Sequence, residues 1–250
     1  MSNKSFIQTN TIEPAPYLWH KLFAENQLPT DGMVIEVAPG YEPKIGNSLA
    51  LLGFHGAIFL VEPDRKAACH IQNIYRQILP HATVKIVIKP LQKVKIGVDI
   101  PCGADALVAS HAFDDMVIAS VVGQTRFFSQ EKDSGENISP SVKKLYDTLK
   151  NKDYTHGIRT TVAAWKRFIT ELKPNYFIAS QYPSRTLIIK GLTKRQNSGF
   201  VVLEQLKSFY KNSLVHQRQE HSFGYKGDPR WWIIAKKPRK GLAHVGRCFE

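Results

Sequence analysis

Cysteine is nearly absent from this chain: Cys69, Cys102 and Cys248 are the only three in 250 residues. They are far apart, odd in number and never spaced C-x-x-C, so neither a disulfide framework nor a metal site is expected. Long hydrophobic runs are also missing. Every apolar segment meets a charge before it could cross a bilayer. The opening "MSNKSFIQTN" has neither an apolar core nor a small-residue cleavage site. The expectation is a cytoplasmic protein with no membrane partner. No internal repeat occurs, and no low-complexity tract beyond the basic "KKPRK" near the end.

What the chain does have is enough apolar material, 43% of its residues, to bury a substantial core. It also has an uneven charge. Residues 1–130 carry 11 Lys and Arg against 11 Asp and Glu, while residues 131–250 carry 23 against 10, which accounts for the whole net charge of +13. A neutral first half suits a packed ligand-binding core. The basic second half suits an anionic partner or substrate, or else forms a solvated surface.

Strand and helix patterns alternate along the first half. "MVIEVA" (33–38), "GAIFLVEP" (56–63), "TVKIVI" (83–88) and "DALVAS" (105–110) read as strands. "IGNSLALLGF" and "DRKAACHIQNIYRQILP" read as helices, the second stopped by Pro80. Such alternation implies a doubly wound α/β fold, a mostly parallel sheet with helices on both faces. A further strand, "NYFIAS", starts at 175, and "LVHQRQEHSF" with "RWWIIAKKP" reads as a closing antiparallel pair, for seven strands in all. Residues 1–30 read as an N-terminal helical lid and 31–240 as one domain. A helical insertion over the site is expected at about 121–174, made of the polar loop "SQEKDSGENISP" and the helices "SVKKLYDTLKN" and "TVAAWKRFITELK". Residues 241–250 read as a tail.

In an open α/β sheet, ligands bind beyond the carboxyl ends of the strands. The first such loop, "EVAPGYEP", lacks the G-x-G-x-x-G of a dinucleotide site. It offers one acid, Glu36, and one glycine, Gly40. The second strand ends in Glu62, Pro63 and Asp64, about twenty-six residues after Glu36, where a carboxylate can take both hydroxyls of a ribose.

"VIEVAPG", "FLVEPD", "DALVASHAFDDM", "NYFIAS" and "RWWIIAKKP" together resemble the class I S-adenosylmethionine-dependent methyltransferase superfamily, over most of residues 31–237. The resemblance implies a Rossmann-like fold that binds S-adenosylmethionine and releases S-adenosylhomocysteine. Glu36 matches the family's first acid, Gly40 its central glycine and Glu62 its ribose acid. Ala38 and Glu42 stand where the family usually has glycine, and Pro39, Tyr41 and Pro63 complete the cofactor loops. A sulfonium cofactor has no phosphate to cradle, so acids and aromatics can replace the missing glycines. At the third strand, where the family places an acid near the adenine amine, "IVIKPLQKV" has Lys89 and Gln92 instead. Asp99 is the nearest acid.

On the acceptor side, His111 follows the fourth strand and is a candidate for general base and cofactor contact. Tyr182 in "QYPSR" is a second catalytic candidate. Asp115, Arg159 and Arg185 are candidates for the acceptor. Asp114 and Asp115 also suit the first turn of a helix on ordinary grounds. The reading is methyl transfer to a small, anionic acceptor. Alternatives are an RNA or other nucleic-acid methyltransferase, an NAD(P)-dependent oxidoreductase, and a non-catalytic binding module. The nucleic-acid reading lacks an appended binding module and the N/D-P-P-Y/F run of base-amine enzymes; the run here is "SHAF".

Overall fold

The computed structural model describes residues 14–123, 144, 147–216, 218, 224 and 226–237. Six strands form: β1 (Met33–Val37), β2 (Ala57–Val61), β3 (Thr83–Val87), β4 (Ala106–Ser110), β5 (Tyr176–Ser180) and β6 (Trp232–Lys236). Their order in the sheet is β3-β2-β1-β4-β5-β6, parallel throughout except for β6, which runs antiparallel to β5. Among the described residues these helices accompany them: α1 (Pro14–Glu25), α2 (Lys44–Leu51), α3 (Arg65–Ile78), α4 (Phe113–Val122), α5 (Thr155–Leu172), α6 (Arg185–Ile189) and α7 (Thr193–Phe209).

Among the described residues the strand count is six, not the expected seven. Where a seventh would lie, Leu214 makes a single antiparallel bridge to Ala235. The Val215 amide donates to the Ile234 carbonyl at 2.7 Å. Leu214 and Val215 are both exposed, and "HQRQEH" follows, so this segment has little apolar surface to bury against the sheet. Residues 217 and 219–223 of the expected strand lie outside the described residues.

Because successive strand residues point to opposite faces, the sheet divides the core in two. Val34, Ile58, Leu60, Ala106, Val108 and Ile178 face α1, α2 and α3; Ile35, Val37, Val61, Leu107 and Phe177 face α4, α5 and α7. The α3 helix begins at the Asp64 side chain, which accepts from the Lys66 amide at 2.9 Å, and buries the stripe Ala67, Ala68, Ile71 and Tyr75. The α1 helix belongs to this core: Trp19 and Phe23 are fully buried, and Trp19 packs edge-on to Trp232 at 4.9 Å. The α5 helix buries Trp165 and Phe168 against α4 and the sheet, as the crossover between β4 and β5. Residues 129–140 of the expected insertion, the start of "SVKKLYDTLKN" and the 241–250 tail lie outside the described residues. No helix among the described residues is long and apolar enough to cross a membrane.

Candidate functional site

At the carboxyl ends of β1, β2 and β3 an open cleft of about 150 Å³ faces α4. Val37, Ala38, Gly40 and Tyr41 line it from the β1 loop, and Val61, Glu62, Pro63 and Asp64 from the β2 end. Pro90, Leu91 and Gln92 follow β3; Asp115, Met116 and Ala119 come from α4.

The β1 loop reaches this wall through two left-handed residues, Ala38 at φ 54° and Gly40 at φ 65°. Glycine takes such a conformation freely, whereas alanine pays for its Cβ. A Cβ at Gly40 would meet no atom within 4 Å, so the missing side chain leaves that stretch of wall open. Ala38 stays in place by continuing the ladder, its amide donating to the Val61 carbonyl at 2.8 Å. Pro39, between them, is half-buried and not part of the lining.

Glu62 is 3% exposed and held from both sides. One carboxylate oxygen accepts from the Gly40 amide at 3.1 Å and the other from the Asp64 amide at 3.0 Å. Burial pushes its carboxyl up to about 7 against the pull of those two amides. Each oxygen keeps a further lone pair for a donor in the cleft.

Glu36, expected at the cofactor, is placed elsewhere. Val37 lines the cleft, so its neighbour on the strand points to the opposite face. There the Tyr75 hydroxyl donates to the Glu36 carboxylate and accepts from the Gly46 amide at 2.8 Å. Burial raises the Glu36 carboxyl to about 8. The triad ties β1, α2 and α3 together beneath the loop. Gly46 is required here because a Cβ would come within 2.7 Å of the Tyr75 ring. Glu42 is bound by Lys44 at 2.6 Å, and that hydrogen bond holds its carboxyl below the usual range; it does not line the cleft.

The β4 and β5 ends are joined by side chains. Nε2 of His111 lies 2.8 Å from the Tyr182 carbonyl oxygen, which can only accept, so Nε2 carries the proton. Nδ1 lies 3.7 Å from the Asp114 carboxylate. Both ring nitrogens therefore face protein oxygens, and neither His111 nor Tyr182 lines the cleft. His111 also holds φ 57°, a second left-handed non-glycine at a strand end. Tyr182 is buried, its ring centroid 4.8 Å from that of His111 and 5.1 Å from Lys226 Nζ.

Behind them sits a buried polar network. Gln181 accepts from the Phe113 amide at 3.1 Å and donates to Asp114 at 2.9 Å. Arg195, 4% exposed on α7, donates to Asp114 at 3.3 Å and to Asp115 at 2.5 Å. Asp115, expected to contact the acceptor, thus lines the cleft while sharing Arg195 with Asp114. Arg159 and Arg185 are exposed on α5 and α6 and do not line the cleft. Gln181 and Arg195 were not singled out from the sequence. Gln181 had a signal, as a polar residue directly after a strand; Arg195 had none, being one more cation beside Lys194.

No protein-family model matches the chain, and no curated protein matches it in sequence. Among solved structures, a candidate rRNA-methylase from Clostridium thermocellum is 14% identical with a TM-score of 0.50, covering 91% of this chain and 100% of that one. The methyltransferase CcbJ from Streptomyces caelestis is 11% identical with a TM-score of 0.40, covering 67% of this chain and 49% of that one. Monomeric WbdD is 9% identical with a TM-score of 0.46, covering 92% of this chain and 42% of that one. The chain spans less than half the length of those last two. Six strands in the order 3-2-1-4-5-6 with an antiparallel last strand, and the superposition over the full length of the first neighbour, give this chain the Rossmann-like fold of the class I methyltransferases.

Proposed function

We propose that this chain transfers a methyl group from S-adenosylmethionine to a small, anionic acceptor. The observation that carries the reading is Glu62: a buried carboxylate, fixed by two main-chain amides, with free lone pairs at the wall of a cleft that opens beyond the strand ends. Adjacent ribose hydroxyls are the donors such a carboxylate suits. The rest of the lining fits the same ligand. Leu91, Met116, Ala119 and Pro90 offer apolar surface to a flat base, and Gly40 offers main chain without a side chain to the remainder. The Gly40 amide is taken by Glu62 and the loop lacks the G-x-G-x-x-G of a pyrophosphate site, which disfavours NAD.

When bound, S-adenosylmethionine supplies an electrophilic methyl carbon: an acceptor lone pair bonds to it as the carbon–sulfur pair leaves with sulfur. What the protein contributes is alignment and exclusion of water. Glu62 fixes the ribose; the β4–β5 wall fixes the acceptor side. His111 acts as the clasp between Asp114 and Tyr182 in this arrangement, since both its nitrogens have protein partners. The anionic acceptor is inferred from the basic second half, where 23 Lys and Arg face 10 Asp and Glu.

Calorimetric titration with S-adenosylhomocysteine and with NAD tests the cofactor. Binding of the first and not the second is expected, and the reverse removes the reading. RNA is the second acceptor class, favoured by the same charge and by the description of one fold neighbour as an rRNA-methylase. Transfer of labelled methyl to RNA, with binding that weakens steeply as salt rises, would replace the small acceptor.

A further inference from the structure

Arg185, a candidate from the sequence for holding the acceptor, is exposed and stands outside the cleft, at the start of α6. The helix it begins turns apolar side chains to solvent: Ile188 is 52% exposed and its neighbour Ile189 74%. A single exposed apolar residue is ordinary, but two adjacent isoleucines on one short helix form a patch. The frame beneath them is held. Leu187 is buried, the Leu192 amide donates to its carbonyl at 2.8 Å, and the Ser184 amide donates to the Gln196 side chain on α7 at 2.7 Å.

The charge along this stretch has one sign. From Gln181 to Leu203 the chain holds Arg185, Lys190, Lys194 and Arg195 and no acid. Arg195 is turned inward to Asp114 and Asp115, while the other three stand within five residues of Ile189. A Cβ at Gly191 would lie 3.7 Å from Lys150 Cε, which packs Lys150 beside the same turn, offset by Asp147 at 3.0 Å. Lys152 and Lys194 line a groove with Val201 in which Asp153 is the one acid. We propose that this pole of the molecule docks on an anionic membrane surface, with Ile188 and Ile189 in the headgroup layer and the cations against its phosphates.

A membrane surface uses both halves of the patch. Aliphatic side chains enter the boundary between headgroups and acyl chains, and each cation near an anionic leaflet strengthens binding about fivefold. No helix among the described residues can cross a bilayer, so the contact is peripheral. A nucleic acid would use the cations, but isoleucine offers a base no ring to stack on. A second copy would cover the isoleucines only by setting like charge against like, since a two-fold contact presents the same patch from both sides. The α6 helix begins five residues after β5 ends at Ser180, on the carboxyl pole where the cleft also opens. Docking therefore brings the open pole to the bilayer.

The test is sedimentation of the full chain with vesicles of phosphatidylcholine alone and of phosphatidylcholine mixed with phosphatidylglycerol. Binding to the mixed vesicles, weakening as salt rises, is expected. Ile188→Ser combined with Ile189→Ser should lower that binding by about tenfold or more. This variant keeps every cation, including the basic "KKPRK" run, so its loss reads the isoleucines. Lys194→Gln should lower binding by about fivefold, and neither variant should shift the melting temperature, because all three side chains are exposed. Equal binding to neutral vesicles overturns the proposal, as does undiminished binding by the double isoleucine variant. So does a protein that ignores both vesicle types, whether it pairs with itself through the isoleucines or binds RNA through the cations alone. Vesicle binding needs no cofactor, so its outcome is separate from that of the methyl-transfer reading.

Discussion

Along the β1–β2 wall the groups that set the geometry are main-chain amides around one carboxylate, Glu62, whereas along the β4–β5 wall they are long side chains closing on Asp114 and Asp115. The first arrangement is built within a few residues of two turns and holds its acid with dipoles, leaving lone pairs for a ligand. The second spans three elements and spends its charges on one another: Arg195 between two aspartates, Gln181 between an amide and a carboxylate. Burial is similar on both sides, since Glu62 and Asp114 are 3% and 1% exposed. Partners, not burial, separate a group that can bind from a group that can only hold.

The largest test of this contrast is Arg195→Met. It leaves Asp114 buried without its cation and should cost about 3 to 5 kcal/mol of folding stability, read from the denaturant midpoint. Pairing it with Asp114→Leu should recover much of the loss, because the cost is the stranded charge. A loss under about 1 kcal/mol for the single change would mean that charge pairing does not hold this wall.

Next in size is the pH response of Glu36. Its native carboxyl, near 8, lies above the ordinary 4.5, so the folded state binds the extra proton. Stability should fall as pH rises from about 4.5 to about 8, by on the order of 3 kcal/mol for a group so buried. Glu36→Gln should flatten that fall. Denaturation profiles of the two proteins that run parallel across this range would remove the assignment.

Glu62→Ala should then show the opposite profile, a change in binding more than in folding. Ribose hydroxyls left without an acceptor should cost about 1.5 to 3 kcal/mol of affinity for S-adenosylhomocysteine. In the unmodified protein, affinity should rise with pH through about 7 as Glu62 ionises. Calorimetry that finds neither effect would take the ribose away from this acid.

The smallest effect belongs to Ala38→Gly. Relief of a left-handed alanine, about 1 to 2 kcal/mol, opposes the added chain entropy of glycine, about 0.5 to 1 kcal/mol. The melting temperature should hold or rise slightly. A clear drop would show that the Ala38 methyl packs productively in the wall.

The same contrast explains what could be read in advance. Glu62, Gly40 and the Asp64 cap are set by the local run from strand to helix, so "VEPD" and "APG" were sufficient to mark the β1–β2 wall. Glu36 was misplaced for a reason of parity: a strand's pattern shows that neighbours alternate, but only the packing shows which one meets α3 and Tyr75. The β4–β5 wall was legible at His111 and Asp115, beside their strand, but not at Arg195, whose partners are 80 and 81 residues away. The expected seventh strand is of the same kind: among its described residues Leu214 and Val215 are exposed, and only one bridge, Leu214 to Ala235, forms.

The reversed direction of β6 has a practical consequence. Lys236 lies beside Tyr176, at the amino end of β5, so the chain reaches Lys237 at the pole of the molecule opposite the cleft. A reporter or surface tether joined after that residue begins its path away from the mouth. Immobilised in this way, the protein would present its cleft to bulk solution, an orientation suited to measuring ligand capture on a sensor.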